Sequence, residues 1–272
     1  MTIKMIATDI DATLVNDDKK ITPRTLSALK EARKRGVYVV LCTGRPVSGI
    51  QDYLEQLGLT TKNDYAITFN GAQGRNVGTD EVIFQNEITA NQHSQLVDLS
   101  HQLGVHGQLV TADSQLYVTD RDISDYSVMD AFYTHMGLHY RELVDFPQDM
   151  KGTKFMWADK PEIISQAMTQ IPQSIHDQFY TVLSASWFLE FTNSAATKGH
   201  AVLELASYLG IQPTEIMTAG DENNDLTMIE AVPHSVAMEN GNSVVKAKAA
   251  YITDDNNHDG LGKAIEKFVL NE

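Results

Sequence analysis

Short apolar runs alternate with helix-type patterns in the N-terminal part of the chain. Three runs have the length and composition of buried strands: Ile3–Thr8, Val37–Cys42 and Tyr65–Phe69. Between the first two, a helix is predicted to start at Thr22, a capping hydroxyl followed by proline, and to stop at Gly36. A second helix is predicted to open at Pro46. This strand–helix–strand order predicts a parallel sheet covered by helices on both faces.

The same alternation returns near the C-terminus. The predicted elements are a helix from Lys198 to Leu209, strands Ile216–Ala219, Ser235–Met238 and Tyr251–Thr253, and helices from about Asn223 and Leu261. The two ends of the chain together predict an α/β fold with a Rossmann-like parallel-sheet core.

The stretch between these two ends has a different pattern. Short strands are predicted at Val82–Phe84, Gln108–Thr111, Leu116–Thr119, Lys154–Trp157, Tyr180–Leu183 and Phe188–Phe191. Helices are predicted near Gln92–Leu103, Ser124–Met136 and Pro161–Gln170. We therefore expect a core domain made of residues 1–83 and 192–272, interrupted by an inserted α+β domain of residues 84–191.

Composition narrows the possible partners of the chain. Its 272 residues suffice for one large or two ordinary domains, and its formal net charge of −15 disfavours nucleic acid and anionic membrane surfaces. An anionic substrate would need a locally positive pocket or a metal ion. The start of the chain lacks the apolar segment of a signal peptide, and the single cysteine, Cys42, fits a reducing compartment. We expect a cytoplasmic protein that is a monomer or a small homo-oligomer, with Cys42 as a buried structural residue.

Polar segments follow the predicted strands, where ligands bind in open parallel sheets. Asp9 comes directly after the first strand and is placed as a nucleophile, with Asp11 two residues on as a general acid and base. Thr43, after the second strand, and the N–H groups of the helix at Pro46 would form an anion site. Arg45 alone would be a surface charge.

Two further segments supply a cation and carboxylates. Lys198, in the sequence TKG, brings a positive charge, and Asp221, in GDENND, could bind Mg²⁺ together with Asp9. Each segment alone is more often turn or capping chemistry. All four segments, in this order and after strands, favour a phosphoryl-transfer site in which positioning and charge neutralisation do most of the catalysis.

These segments resemble the motifs of the haloacid dehalogenase (HAD) superfamily of phosphatases. DIDAT at residues 9–13 is similar to the family's DxDGT, LCTGRP to its Ser/Thr motif, TKG to its lysine motif and GDENND to its acidic motif. The resemblance covers essentially the whole chain and is closest to the Cof-like sugar-phosphate phosphatases, which have a large α/β cap.

The resemblance implies a role for each matching residue. Asp9 would be the nucleophile that becomes an aspartyl-phosphate, and Asp11 the general acid and base. The metal ligands would be Asp9, the main-chain carbonyl of Asp11, and Asp221. Asp225 would support the metal-binding loop without contacting the metal itself. The phosphate would be held by Ile10, Thr43, Gly44, Lys198 and Asn224.

One residue departs from the family pattern, and the spacing of the motifs indicates where the cap lies. Ala12 stands where the family has glycine, so either the backbone there is strained or the entrance to the site is narrowed.

Only one predicted helix and one strand separate Asp11 from Thr43, so the cap fits between Thr43 and Lys198. Residues 84–191 would then be an α/β cap that excludes water and selects the leaving group. Its histidines and aromatic residues are candidates for that selection, but most are expected to be core or surface residues and none is assigned as a specificity residue: His93, His106, His135, His139, Trp157 and Trp187.

The expected function is Mg²⁺-dependent hydrolysis of small-molecule phosphomonoesters, with sugar phosphates as the expected class. A dehalogenase would need neither Asp11 nor a metal, and a transport ATPase would need membrane spans. A phosphosugar mutase and a phosphometabolite-binding regulator with weak turnover remain open alternatives. The sequence does not identify the physiological substrate.

Overall fold

The computed structural model describes residues 2–270 of the chain. Contacts between Cα atoms divide the chain into two compact units, Met1–Gln85 with Thr197–Glu272, and Asn86–Ala196. We refer to them as the core unit and the insert. The boundaries lie a few residues later than 83/84 and 191/192, because the strand at Val82–Gln85 belongs to the sheet of the core unit.

The elements follow one another in chain order. The N-terminal part of the core unit contains β1 (Met5–Thr8), α1 (Pro23–Lys34), β2 (Tyr38–Cys42), α2 (Gln51–Leu57), β3 (Tyr65–Thr68), β4 (Gln73–Asn76) and β5 (Val82–Gln85). The insert contains α3 (Ala90–Leu103), β6 (Gly107–Val110), β7 (Gln115–Val118), α4 (Asp125–Thr134), β8 (Gly137–Tyr140), β9 (Lys154–Ala158), α5 (Pro161–Met168), α6 (Gln173–His176), β10 (Phe179–Ala185) and β11 (Phe188–Asn193). The C-terminal part of the core unit contains α7 (Lys198–Leu209), β12 (Ile216–Gly220), α8 (Leu226–Ala231), β13 (His234–Ala237), α9 (Ser243–Lys248), β14 (Tyr251–Ile252) and α10 (Gly260–Ile265).

The core unit is built on one sheet with the strand order β14-β13-β12-β1-β2-β3-β4-β5. The six strands from β14 to β3 are parallel, and β4 and β5 add an antiparallel edge. Successive residues of a strand face opposite sides, so Ile6 joins the apolar cluster that contains Leu29 of α1, while Met5 joins the cluster that contains Leu205 of α7. Helices therefore cover both faces of the sheet, and the predicted α/β fold is confirmed.

The insert has its own sheet and its own apolar core. Its strand order is β10-β11-β9-β6-β7-β8, with antiparallel pairing except between β7 and β8. Leu109, Phe155, Trp157 and Phe191 belong to the apolar cluster of this unit, which also takes in residues of α3 and α5. This separate core is what makes the insert a compact unit in its own right.

The cap of α1 shows how local sequence sets the element boundaries. The side chain of Thr22 accepts a hydrogen bond from the N–H of Thr25, and Pro23 occupies the first helical position, as predicted.

The prediction of a helix opening at Pro46 is wrong. Pro46 is extended, a single turn follows at Val47–Gly49, and α2 begins only at Gln51. The anion site expected from that helix start is therefore not formed in the way predicted.

Among the helices of residues 2–270, none is both long enough and apolar enough to cross a membrane.

Candidate active site

The four predicted segments converge at the carboxyl ends of the central strands of the core unit. Asp9 follows β1 directly, and its N–H donates to the carbonyl of Ala219 on β12 at 3.0 Å. Thr43 follows β2, and Asp221 follows β12. Lys198 is the first residue of α7, which its neighbour Thr197 caps by accepting a hydrogen bond from a backbone N–H. The topology of the sheet thus brings residues that are far apart in sequence to one edge.

Lys198 lies at the centre of this group. Its ammonium nitrogen is 2.7 Å from Oδ1 of Asp9 and 2.6 Å from Oδ1 of Asp225, and its side chain is fully buried. Burial alone would lower the pKa of Lys198, but the charges of Asp225 and Asp9 outweigh it, so the net shift is upward. Lys198 is therefore a permanent buried cation next to the predicted nucleophile.

Asp225 holds the loop that carries Asp221. Its Oδ2 accepts hydrogen bonds from the N–H groups of Asp221 at 2.9 Å and Glu222 at 3.0 Å. The carboxylate of Asp221 itself accepts a hydrogen bond from the hydroxyl of Thr13 at 2.8 Å. The structure thus orients Asp221 both through its backbone and through its side chain.

The carboxylates of Asp9 and Asp221 fit a divalent cation, and that of Asp225 lies beside them. One oxygen of each lies within 4.8 Å of the others. Burial raises the pKa of both Asp9 and Asp221 to about 7, because the single charge of Lys198 does not offset desolvation and the repulsion from neighbouring carboxylates. Within residues 2–270, hydrogen bonds engage one oxygen of Asp9 and one of Asp221, which leaves the other oxygen of each for a metal. Hard oxygen donors of this kind suit Mg²⁺.

Asp11 has two cationic partners that the sequence did not reveal. Nε and Nη2 of Arg45 lie 2.8 Å and 2.7 Å from the two oxygens of Asp11, and Nζ of Lys19 lies 2.8 Å from one of them. Burial raises the pKa of Asp11, but the hydrogen bonds from Arg45 and Lys19 outweigh it and lower the pKa below its ordinary value. Arg45, which taken alone would be a surface charge, is 32% exposed and binds the predicted acid–base residue through two guanidinium nitrogens.

The turn after β1 explains the glycine of the family pattern. Ala12 has φ 56° and ψ 10°, a left-handed conformation that favours glycine. The amide of Asn240 donates to the carbonyl of Ala12 at 2.9 Å and helps to hold this turn. Of the two explanations for the departure, backbone strain is the one that the structure supports. Ile10, a predicted phosphate contact, buries its side chain in the apolar cluster and has only its main chain to offer.

Asn70, which the sequence did not reveal, lies between Thr43, Gly44 and Asn224. Asn70 follows β3, its N–H donates to the carbonyl of Thr43 at 2.9 Å, and its side chain accepts a hydrogen bond from the amide of Asn224 at 3.0 Å. A Cβ atom on Gly44 would lie 3.1 Å from the Asn70 amide. The signal that could have found Asn70 is an Asn-Gly pair directly after a buried strand.

Comparison with known proteins identifies the family. A family model described as haloacid dehalogenase-like hydrolase matches residues 6–265. The chain belongs to this family. The predicted HAD relationship and the prediction of a phosphatase-type hydrolase are confirmed by this match and by the names of the relatives.

Two relatives and one solved structure match this HAD-like hydrolase over nearly their whole length. The Bacillus subtilis protein named "Putative phosphatase YxeH" is 40% identical over 267 residues, which are 98% of each chain. The 5-amino-6-(5-phospho-D-ribitylamino)uracil phosphatase YitU of the same organism is 28% identical and covers 97% of both chains. The crystal structure of a haloacid dehalogenase-like hydrolase from Bacteroides thetaiotaomicron superposes with a TM-score of 0.83 at 24% identity, over 98% of this chain and 99% of that one.

Two of the six candidate residues for leaving-group selection in the insert of this hydrolase are buried among other side chains. Trp157 is fully buried, and its indole N–H donates to the hydroxyl of Ser100 at 2.9 Å. His93 is buried against the ring of Phe146, with the ring centroids 4.8 Å apart. His135 ends α4 in a left-handed conformation. Trp157 and His93 therefore belong to the packed interior of the insert.

The remaining candidates have partners or partial exposure. Nδ1 of His106 lies 2.6 Å from a carboxylate oxygen of Asp159, and Nε2 of His139 lies 2.8 Å from the amide oxygen of Gln115. Trp187 is 36% exposed, and His135 is also an exposed residue, so these two are accessible to solvent.

Proposed function

We propose that this protein is a Mg²⁺-dependent phosphatase that hydrolyses phosphomonoesters of small metabolites through an aspartyl-phosphate on Asp9. The observation that carries the proposal is the buried contact of Lys198 with Asp9 and Asp225, next to the free carboxylate oxygen of Asp221. Phosphoryl transfer requires a nucleophile, a fixed cation and hard metal ligands in one place. These residues would supply all three at the carboxyl ends of the strands. The phosphatase names of the relatives support the same reaction.

In the first step, a carboxylate oxygen of Asp9 attacks phosphorus and the ester P–O bond breaks. The departing alkoxide takes a proton from Asp11, which must enter the step protonated. A phosphate dianion arriving beside Asp11 favours that protonated form, because like charges raise the pKa of a carboxyl group. Arg45 and Lys19 then stabilise the Asp11 carboxylate that the step leaves behind.

In the second step, Asp11 accepts a proton from water as that water attacks the aspartyl-phosphate. The bond between phosphorus and the Asp9 oxygen breaks, phosphate leaves, and Asp11 is protonated again. Thr43, Gly44, Lys198 and Asn224 hold the phosphoryl oxygens during both steps. When bound, Mg²⁺ supplies positive charge beside the phosphoryl group, held by Asp9, the carbonyl of Asp11, and Asp221.

We propose that the leaving group is a polar metabolite and that sugar phosphates are the class of substrate. A cavity of about 230 Å³ is lined by polar side chains that include Lys19, Arg45 and Tyr53, and both cations also contact Asp11. Hydroxyl groups of a sugar could replace water there. The name of the YitU phosphatase designates a phosphate carried on a ribityl chain, which is a polyol and in that respect similar to a sugar.

We also propose that the insert acts as the cap that selects among leaving groups. It has a hydrophobic core of its own, so its surface can change while the catalytic residues of the core unit stay in place. Replacing Asn86–Ala196 by a short Gly/Ser bridge should spare hydrolysis of p-nitrophenyl phosphate and abolish the ranking of sugar phosphates. A truncated protein that keeps the full-length ranking would place specificity in the core unit.

Release of free phosphate from a panel of phosphorylated metabolites tests the reaction. We expect turnover of several sugar phosphates by the wild type, none by Asp9→Asn, and wild-type rates for the matched control Asp18→Asn, which changes an exposed aspartate. Appearance of an isomeric sugar phosphate without free phosphate would indicate a mutase. Binding without turnover by the wild type would indicate a regulator.

Metal dependence is the first specific prediction. Without a divalent cation, the clustered carboxylates of Asp9 and Asp221 face a dianionic substrate, and the repulsion should prevent attack. Exhaustive chelation should abolish phosphate release, and added Mg²⁺ should restore it. Full activity after chelation would contradict the metal assignment.

A further inference from the structure

The turn that follows β3 has an unusual backbone. Phe69, Asn70 and Gly71 have φ values of 52°, 55° and 99°, so three successive residues lie in the left-handed region. A left-handed conformation is costly for a bulky residue such as phenylalanine. Strain of this kind persists where the surroundings hold it in place, and it is concentrated at functional sites.

The main chain of this turn packs against two of the predicted motif segments. The N–H of Asn70 donates to the carbonyl of Thr43 at 2.9 Å, which fixes the turn to the loop after β2. Gly71 lies against the carbonyl of Thr197, where a Cβ atom would collide with that oxygen. Thr197 directly precedes Lys198, so the turn also abuts the start of the helix that carries the buried cation.

The side chain of Asn70 reaches a third segment. Its Oδ1 accepts a hydrogen bond from Nδ2 of Asn224 at 3.0 Å, and its amide lies 3.1 Å from the position that a Cβ on Gly44 would occupy. Asn70 is only 7% exposed. One buried amide therefore links the loop of Asn224 to the loop of Thr43 and Gly44.

This contact fixes the orientation of the Asn224 amide. An amide nitrogen carries two N–H groups, and the contact with Asn70 uses one of them and leaves the second for a ligand. We propose that Asn70 is a positioning residue for phosphate, which holds Asn224 in the orientation that donates its second N–H to a phosphoryl oxygen. This inference rests on the proposed phosphatase function.

The left-handed backbone offers a clean variant for the test. Asn70→Gly removes the amide and keeps a residue that tolerates the local φ. Asp80→Gly is the matched control, because Asp80 is exposed and has φ 62° in the turn between β4 and β5. Asn70→Ser, whose side chain is too short to reach Asn224, replaces Asn70→Gly should that protein not fold.

Binding of inorganic phosphate in the presence of Mg²⁺, measured by calorimetry, is the main readout. We expect Asn70→Gly to weaken phosphate binding by about tenfold, since a hydrogen bond to a charged group is lost when Asn224 turns away. The kcat/KM for p-nitrophenyl phosphate should fall by a similar factor, and Asp80→Gly should match the wild type in both.

A double variant separates positioning from a general effect on the fold. If Asn70 acts through Asn224, Asn70→Gly with Asn224→Ala should bind phosphate no more weakly than Asn224→Ala alone. Losses that multiply in the double variant, or wild-type phosphate binding in Asn70→Gly, would overturn the positioning role. A wild type that releases no phosphate from any ester would overturn the proposed function instead, and calorimetry would still report on Asn70.

Discussion

The core unit and the insert bury charged side chains in different ways. In the core unit, Lys198 has no exposed side-chain surface and contacts two carboxylates, at 2.7 Å and 2.6 Å. In the insert, Lys154 contacts one carboxylate, that of Glu190, at 3.1 Å, and its side chain keeps 14% exposure. Both lysines are at least partly desolvated, but only the first has two partners that compensate for this.

The polar groups around Lys154 are also less completely satisfied. Gln108 donates to Asp130 at 2.7 Å, yet Oε1 of Gln108, Oε2 of Glu190 and the hydroxyl of Ser127 are buried and have no hydrogen-bond partner among residues 2–270. Burial raises the pKa of Asp130, and the nearby positive charge of Lys154 offsets only part of that increase. Unpaired buried acceptors of this kind reduce stability.

The difference follows from where each cluster sits in its sheet. The core cluster lies at the carboxyl ends of parallel strands, where loops are free to turn several polar groups towards one point. The insert cluster comes largely from the middle of neighbouring strands, where the registers pair Gln108 with Met156 and Met156 with Glu190 on one face. Strand geometry fixes the directions of those side chains, so they cannot satisfy one another as fully.

The same substitution in both units should give the largest contrast. Lys198→Met leaves two buried carboxylates without a cation and should cost about 3–5 kcal/mol of unfolding free energy, together with phosphatase activity. Lys154→Met should cost about 1–3 kcal/mol, because only one carboxylate loses its cation and Lys154 itself is 14% exposed. Hydrogen exchange of the β1 and β9 amides, followed in denaturant, reports on each unit separately.

Equal losses in the two units would contradict the comparison. So would a Lys198→Met protein that keeps wild-type turnover, since that result would remove the buried cation from the mechanism.

His93 sharpens the comparison through pH. Burial in the apolar core of the insert lowers its pKa from 6.5 to about 4, so the folded insert holds it neutral. As pH falls from about 6.5 to about 4, the unfolded chain binds a proton that the folded insert does not, and stability decreases by about 1–3 kcal/mol. Unfolding measured at several pH values should show this slope in the wild type and in the exposed-site control His176→Gln. A slope that is unchanged in His93→Phe would exclude His93 as its source.

Ala12 should give the smallest effect, at one position of the core unit. Ala12→Gly relieves the left-handed conformation at φ 56°, and the greater freedom of glycine in the unfolded chain offsets part of that gain. We expect stabilisation of between roughly 0 and 1 kcal/mol, whereas Ala32→Gly within α1 should be destabilising by at least about 1 kcal/mol, because Ala32 is helical and also buried. Thermal unfolding of both variants measures the sign, and destabilisation by Ala12→Gly would show that the alanine is not strained.

The sequence predicted the core strands because they are short, continuous apolar runs. It also predicted that Asp9, Thr43 and Asp221 would lie at one edge, because parallel strands present their carboxyl ends together, and that Lys198 would bring a cation to them. The structure brings these residues to the carboxyl ends of β1, β2 and β12 and to the start of α7. Their catalytic roles stay predictions until the experiments above are done.

Other elements carry no apolar signal in the sequence. The strand β4 has the sequence QGRN and was missed, because it is stabilised by antiparallel pairing with β3 and β5 rather than by an apolar face. The strand β5 was predicted at Val82–Phe84 but grouped with the strands of the insert, because its antiparallel pairing with β4 leaves no signal in the sequence. The contacts of Asp11 with Arg45 and of Asn70 with Asn224 join residues that are far apart in the chain, and no local pattern encodes such a pair.

The proposed covalent mechanism has its most direct test in an Asp11→Asn variant given p-nitrophenyl phosphate and Mg²⁺. Nitrophenolate leaves without protonation, so Asp9 should still be phosphorylated, while the attack of water slows by roughly 10²–10⁴-fold for want of a base. We expect a burst of about one nitrophenol per active site and, by mass spectrometry, a phosphoryl group on Asp9. The double variant with Asp9→Asn should show neither. Steady turnover of nitrophenyl and sugar esters at the wild-type rate, or a phosphoryl group on another residue, would contradict the mechanism.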